Sequence, residues 1–205
     1  MVAALYVELG GCYYDLPSVD PWPTDRDARK YAGPWPVIAH PPCERWGRYW
    51  SGGPSAKVKR LKGDDGGCFK AALLAVRYWG GVLEHPEASS AWDAFGLHRP
   101  PRWGGWVAAD FEGGWTCCVE QGHYGHAARK ATWLYTCRTE LPILKWGSSG
   151  PRACLEDDFH TAEERRRAIK TGICQRLSKR QRAATPLPFR DLLLTIARTS
   201  LREGA

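Results

Sequence analysis

Short apolar runs, each closed by a turn or polar residue, recur through the first half of the chain. Leu5-Tyr6-Val7-Glu8-Leu9 alternates apolar and polar positions and predicts a strand that breaks at Gly10-Gly11. Residues 12–19 read as a second extended piece ahead of Asp20-Pro21, so the chain is expected to open with a hairpin or a tight strand-turn-strand. After the polar run 24–30, Pro34-Trp35-Pro36 frames Val37-Ile38-Ala39. That is the pattern of a short buried strand, and it ends at His40-Pro41-Pro42-Cys43. Residues 51–67 are rich in Gly, Lys and Asp and predict a loop. The run 68–79 has helical composition and stops at Gly80-Gly81. Val82-Leu83 then makes another brief buried strand that ends in Glu84-His85-Pro86.

Strand, helix and strand in that order predict a parallel βαβ unit, with Cys43 and Glu84 at the same carboxyl edge. In open α/β sheets ligands bind at that edge. Further on, Trp115 to Val119 and Thr132 to Cys137 predict strands on either side of Gln121-Gly122-His123-Tyr124-Gly125-His126, after a Gly- and Trp-rich connection. Thr161-Ala162-Glu163-Glu164 is a capping-box pattern that opens a basic helix through Lys170. Thr185-Pro186 starts an amphipathic helix over roughly 189–201.

Composition narrows the class. The chain has 205 residues, 43% hydrophobic and 12% aromatic, which suits one packed α/β domain and excludes a disordered, highly charged chain. No stretch reaches the roughly 18 apolar residues of a spanning helix, and Met1 to Gly11 has no basic region before its apolar run. A membrane partner and a classical export signal are therefore not expected. Eight scattered cysteines without CxxC pairs fit free thiols in a reducing cytoplasm. The formal charge of +7 favours a polyanionic partner, DNA first. Its basic residues gather in the helical C-terminal region, about 156–205, where Arg165-Arg166-Arg167, Lys170, Arg176, Lys179-Arg180 and Arg182 follow Glu156-Asp157-Asp158. Arg166, Lys170 and Lys179 are the candidate phosphate contacts there, although such a run also reads as a solvated helix face.

Among the cysteines Cys43 is the candidate nucleophile. A loop beyond a strand offers backbone amides, and Arg45 and Arg48 are basic neighbours expected to lower its pKa and to meet nucleic acid. The alternative is a small buried side chain. Glu84 is a carboxylate whose burial raises its pKa toward proton sharing, or else it pairs with an arginine. His40 with Cys43, and His123 with His126, have metal-ligand spacing with His85 nearby. Such pairs arise often by chance, and no metal site is assigned. Trp103, Trp106 and Trp115 among glycines are either stacking platforms or packing.

These segments resemble the DNA cytosine-C5 methyltransferases. Pro41-Pro42-Cys43 is similar to the Pro-Cys nucleophile motif, and Leu83-Glu84-His85 resembles the Glu-Asn-Val motif. Tyr124-Gly125-His126-Ala127-Ala128-Arg129-Lys130 resembles the tyrosine-glycine segment before the Gln-x-Arg-x-Arg motif. The chain also looks like short phage and prophage proteins that share its His-Pro-Pro-Cys, Gly-Gly-Val-Leu-Glu-His-Pro and Lys-x-Thr-Trp-Leu-Tyr segments. The resemblance implies a Rossmann-like, class I methyltransferase-like sheet with flanking helices, in shortened form. It implies a DNA base-modification protein with Cys43 adding to C6 of an extruded pyrimidine, Glu84 at N3 and the exocyclic amine, and Arg129 or Lys130 contacting base or phosphate. It also implies S-adenosylmethionine as methyl donor, near Gly10, Gly11, Asp20 and Asp27. The chain departs from the family pattern at Glu44 in place of Gln and at His85 in place of Asn. Only residues 12–18 lie between Gly10-Gly11 and Val19-Asp20, too few for the family's cofactor helix. A catalytically inactive nucleic-acid-binding protein on the same scaffold, or a small metal-dependent enzyme, are the alternatives.

Overall fold

The computed structural model describes residues 1–47, 50–51, 60–150, 161–171 and 177–200. Seven strands form one mixed sheet in the order β2-β1-β3-β4-β7-β6-β5. They are β1 (Val2–Leu5), β2 (Val19–Trp22), β3 (Val37–Ala39), β4 (Gly81–Pro86), β5 (Val107–Ala108), β6 (Gly114–Glu120) and β7 (Ala131–Cys137). β2, β1, β3 and β4 run parallel, β7 runs antiparallel to β4, and β6 and then β5 each reverse again.

The βαβ expectation holds. β3 leads through α1 (Cys68–Trp79) to a parallel β4, with Val37, Ile38 and Ala39 opposite Gly81, Val82 and Leu83. α1 buries Phe69, Ala72, Leu73 and Val76, spaced three and four apart, against one face of the sheet. Its first turn is held by Asp65, whose carboxylate accepts from the amides of Gly67 at 2.9 Å and Phe69 at 2.8 Å. At its far end Gly81 has φ +124°, and a Cβ there would run into the backbone of Val37, so this close approach of β4 to β3 requires glycine.

The opening of the chain is neither the expected hairpin nor a tight strand-turn-strand with its second piece over residues 12–19. β1 is the wholly buried run Val2-Ala3-Ala4-Leu5 and not residues 5–9. Its two alanines carry little strand signal, whereas a central parallel strand needs only an apolar run buried on both faces. Tyr6 ends it with φ +59° and donates its hydroxyl to the Cys68 carbonyl at 3.1 Å. The chain then loops through residues 6–18 without a helix and returns as β2, parallel to β1 at the sheet's outer edge. Pro21 fits that edge position.

Parallel neighbours usually need a helical crossover, and here another helix fills the layer. α5 (Leu187–Arg198) packs Phe189, Leu193, Leu194, Ile196 and Ala197 with Val2, Ala4, Ile38 and Val82, on the face opposite α1. Arg190 near its start donates to the Cys12 carbonyl at 2.9 Å, and Ser200 just past its end donates to the Trp79 carbonyl at 3.3 Å. α5 therefore runs against the parallel strands, with its first turn at their carboxyl edge. The shorter helices are α2 (Ala91–Ala94), α3 (Ala162–Lys170) and α4 (Lys179–Ala183). The expected capping box opens α3, with Thr161 and Glu164 exchanging backbone and side-chain hydrogen bonds at 3.1 Å. Among the described residues no helix is long and apolar enough to cross a membrane.

Candidate functional site

β1 sends the chain to one side through β2 and has β3 on the other, so the connection reverses direction between β1 and β3. In open α/β sheets the crevice outside the strand ends at such a switch point is where ligands bind. Five side chains from five segments meet at this edge. His40 follows β3, its amide still bonded to the Leu5 carbonyl at 3.1 Å. Its Nδ1 lies 3.0 Å from Oε2 of Glu84, and Tyr13 from the β1–β2 loop brings its hydroxyl 2.9 Å from His40 Nε2. Gln121, just after β6, donates Nε2 to Glu84 Oε1 at 3.2 Å and to Thr132 Oγ1 at 3.0 Å. A carboxylate only accepts, so His40 donates from Nδ1 to Glu84, and in the neutral ring Nε2 accepts a hydrogen bond from the Tyr13 hydroxyl.

The electrostatics follow from this packing. Burial pushes the Glu84 carboxyl up, but His40 through its hydrogen bond and Lys130 through its charge outweigh it and hold the group below the usual carboxylate range. The expectation of a raised Glu84 pKa is thus reversed. Cys43 is exposed, yet the protein around its sulfur raises its pKa first, and the Glu84 charge raises it again. Its own backbone hydrogen bond and Lys130 offset part of that. The predicted thiolate is therefore not favoured. Arg45 does not supply the expected help, because its guanidinium reaches the Trp50 carbonyl at 3.5 Å. Arg48 lies outside the described residues. What fixes the Cys43 loop is Trp46. Its amide returns to the Cys43 carbonyl at 3.0 Å, and its buried indole donates to Asp65 at 2.8 Å.

Lys130 belongs to this edge. It sits at φ +45° just before β7, and its ammonium is felt by both Glu84 and Cys43, while burial pulls its pKa down. Nζ donates to the carbonyls of Ala183 at 3.1 Å and Ala184 at 2.9 Å, at the end of α4. His126 ties the same segment down, with Nε2 3.1 Å from the Gln181 carbonyl. Arg129 is exposed and reaches the Gly150 carbonyl at 3.4 Å, away from this group of partners.

The other candidates are dispersed or already engaged. Asp20 accepts from Arg26 and from the Trp22 indole, and Asp27 pairs with Arg29 and caps a short 3-10 turn. Gly10 and Gly11 lie in a turn closed by the Gly11 amide on the Glu8 carbonyl at 2.9 Å. With no helix after β1 and both carboxylates held by arginines, these four residues do not fit the adenosyl and ribose contacts that the resemblance implies. Arg166 and Lys170 are exposed on α3, and the Lys179 side chain lies outside the described residues, as do Glu156, Asp157, Asp158 and Arg176. His123 is bonded to the Gly147 carbonyl at 3.1 Å, and among the described residues no three His, Cys, Asp or Glu side chains are grouped to hold a metal. Trp106 donates to the Pro142 carbonyl and packs against Trp146, whereas Trp103 stays exposed beside Arg102.

His85 turns to the opposite face, as the strand's alternation requires, and packs between Phe69 and Trp92. The sequence alone does not single out Tyr13, Gln121 or Thr132. Their only local signal is polarity next to apolar strands, which does not say what a side chain will face. The chain matches no family model, no curated protein and no solved structure in comparisons with each.

Proposed function

We propose that this chain is a base-modification protein of the cytosine-C5-methyltransferase type, working on a pyrimidine at the carboxyl edge where Cys43, Glu84 and Lys130 converge. The observation that carries the proposal is this convergence. Three segments far apart in sequence, each resembling a motif of one family, share electrostatic contact at a switch-point edge. The strand directions and the helix on each face support a class I methyltransferase-like form of the sheet. Cys43 is the group that adds to C6 of the ring, and Glu84 is the group that meets N3. Cys43 must first lose its proton, and Lys130 is the cation that stabilises the thiolate. DNA is the proposed partner, on the strength of the net charge of +7 and the exposed Arg166 and Lys170. No methyl-transfer step is assigned to the β1–β2 loop.

A second reading, a nucleic-acid-binding protein without catalysis, is favoured by one observation: the Cys43 thiol is held toward its protonated form by burial and by Glu84. Thiol protection tests both. Alkylation of Cys43 by iodoacetamide is followed by peptide mass spectrometry, with a single-stranded oligonucleotide of mixed dT and dC and with an abasic strand of equal charge. The proposal expects strong protection by the pyrimidine strand and little by the abasic one. Equal rates with both strands refute a base at Cys43.

A further inference from the structure

The hydrogen bonds around Glu84 bear on which pyrimidine edge this site accepts, a question that rests on the base-site reading above. Both carboxylate oxygens are already in use, Oε2 by His40 Nδ1 at 3.0 Å and Oε1 by Gln121 Nε2 at 3.2 Å. Each retains a lone pair and neither has a proton to give. Tyr13 completes the arrangement: with the Nδ1–H of His40 committed to Glu84, its hydroxyl at 2.9 Å is placed to donate to Nε2 of the neutral ring. Gln121 cannot reorient to offer a donor, since its two N–H groups are taken by Glu84 and Thr132. Among the described residues the donor at this edge is Lys130, which spends two of its three N–H groups on the carbonyls of Ala183 and Ala184 and has a third to offer.

We infer that His40 and Tyr13 are positioning residues that hold Glu84 as a hydrogen-bond acceptor, so that the edge selects a pyrimidine whose N3 carries a proton, a uracil or thymine, over cytosine. The complementarity is direct. A uracil edge presents an N3–H donor beside the O4 acceptor and meets Glu84 and the free N–H of Lys130. A cytosine edge presents an N3 acceptor beside an amino donor, which sets a lone pair against the carboxylate and an N–H against the ammonium. The family resemblance alone implies the opposite preference. His40 and Tyr13 touch no ligand in this scheme and act through Glu84.

The test is titration of the full chain with dUMP and dCMP, which share charge and sugar, followed by ¹⁵N-resolved NMR. The wild type is expected to bind dUMP at least ten-fold more tightly than dCMP. His40→Ala should bring the two within about three-fold by freeing the carboxyl to reorient and take a proton. Glu84→Gln, which can donate as well as accept, should do the same with the His40 side chain in place. The spectrum of free wild type should show His40 protonated at Nδ1 and not at Nε2, and Tyr13→Phe should weaken that preference. Equal or tighter dCMP binding by the wild type overturns the inference and leaves the base-site reading standing. A His40 ring with its proton on Nε2 and none on Nδ1 overturns the positioning role. Binding of neither nucleotide, together with no protection of Cys43 by the pyrimidine strand, removes the base-site reading and this inference with it.

Discussion

His85 is the position where a single substitution tests the packing most directly. Its ring is 1% exposed and lies edge-on to Phe69 with centroids 5.2 Å apart and 6.2 Å from Trp92. Among the described residues neither ring nitrogen makes a well-formed hydrogen bond, and the Pro42 carbonyl is close enough only to oppose the effect of burial in part. Burial dominates and pulls its pKa from 6.5 to about 4, with Glu84 and the Pro42 carbonyl opposing. The unfolded chain then takes up a proton near pH 6.5 while the fold resists until about pH 4, so between those values the unfolded state binds more protons. Stability is full above pH 6.5 and is lost as pH falls through that window. At 1.36 kcal/mol per unit the loss is about 2 kcal/mol at pH 5 and about 3 kcal/mol below pH 4. His85→Phe removes the titration and two poorly satisfied nitrogens from an aromatic cage. It is expected to match or exceed wild-type stability at pH 7.5 and to lead it by about 2 kcal/mol more at pH 5. Urea unfolding followed by tryptophan fluorescence at pH 7.5, 6 and 5 reads this as a difference between the proteins, so carboxylates common to both cancel. Parallel losses in the two proteins would refute the assignment of His85 to that window. A variant weaker by more than about 2 kcal/mol at pH 7.5 would mean that the ring nitrogens do have partners.

Three further outcomes follow from the same structure. Lys130→Met should slow Cys43 alkylation at pH 8 and Glu84→Gln should speed it, each by roughly two- to ten-fold, because thiolate population changes ten-fold per pKa unit; opposite or absent shifts in the pH-rate profile would separate the three residues. Calorimetry with S-adenosylmethionine should give no heat of micromolar binding, since Asp20 and Asp27 are committed to Arg26 and Arg29, and a micromolar Kd would reverse that conclusion. Replacing Arg166, Lys170 and Lys179 with Ala should flatten log affinity for single-stranded DNA against log salt by about 0.7 for every phosphate no longer neutralised, while Cys43→Ser leaves the slope alone; anisotropy at several salt concentrations decides, and an unchanged slope takes this cluster out of the interface. One local pair already competes for that surface, with Arg167 3.7 Å from Glu163 and both largely exposed.

Much of the central fold is legible along the chain. β3, α1 and β4 appear where short apolar runs and helical composition predict them, because each run must be buried and each stop is written in Gly, Pro or charge. Once those elements are fixed, Cys43 and Glu84 fall at one edge by connectivity alone. The alternation of β4 also separates Glu84 from His85. The opening strand lies earlier in the chain than the local pattern predicts, since alanines carry little strand preference and their burial on both faces comes from neighbours far away in sequence.

The site itself is a product of tertiary contacts. His40 reaches Glu84 across 44 residues and Gln121 reaches it across 37, through strands that are adjacent only after the sheet has formed. Tyr13 is carried in by a loop whose covering helix comes from the other end of the chain, where Arg190 and Cys12 are 178 residues apart. Local pattern determines period, end and buried face. It does not encode which distant polar group will lie opposite, and that partner turned Glu84 from an expected proton donor into a held acceptor and brought Lys130 to the same edge.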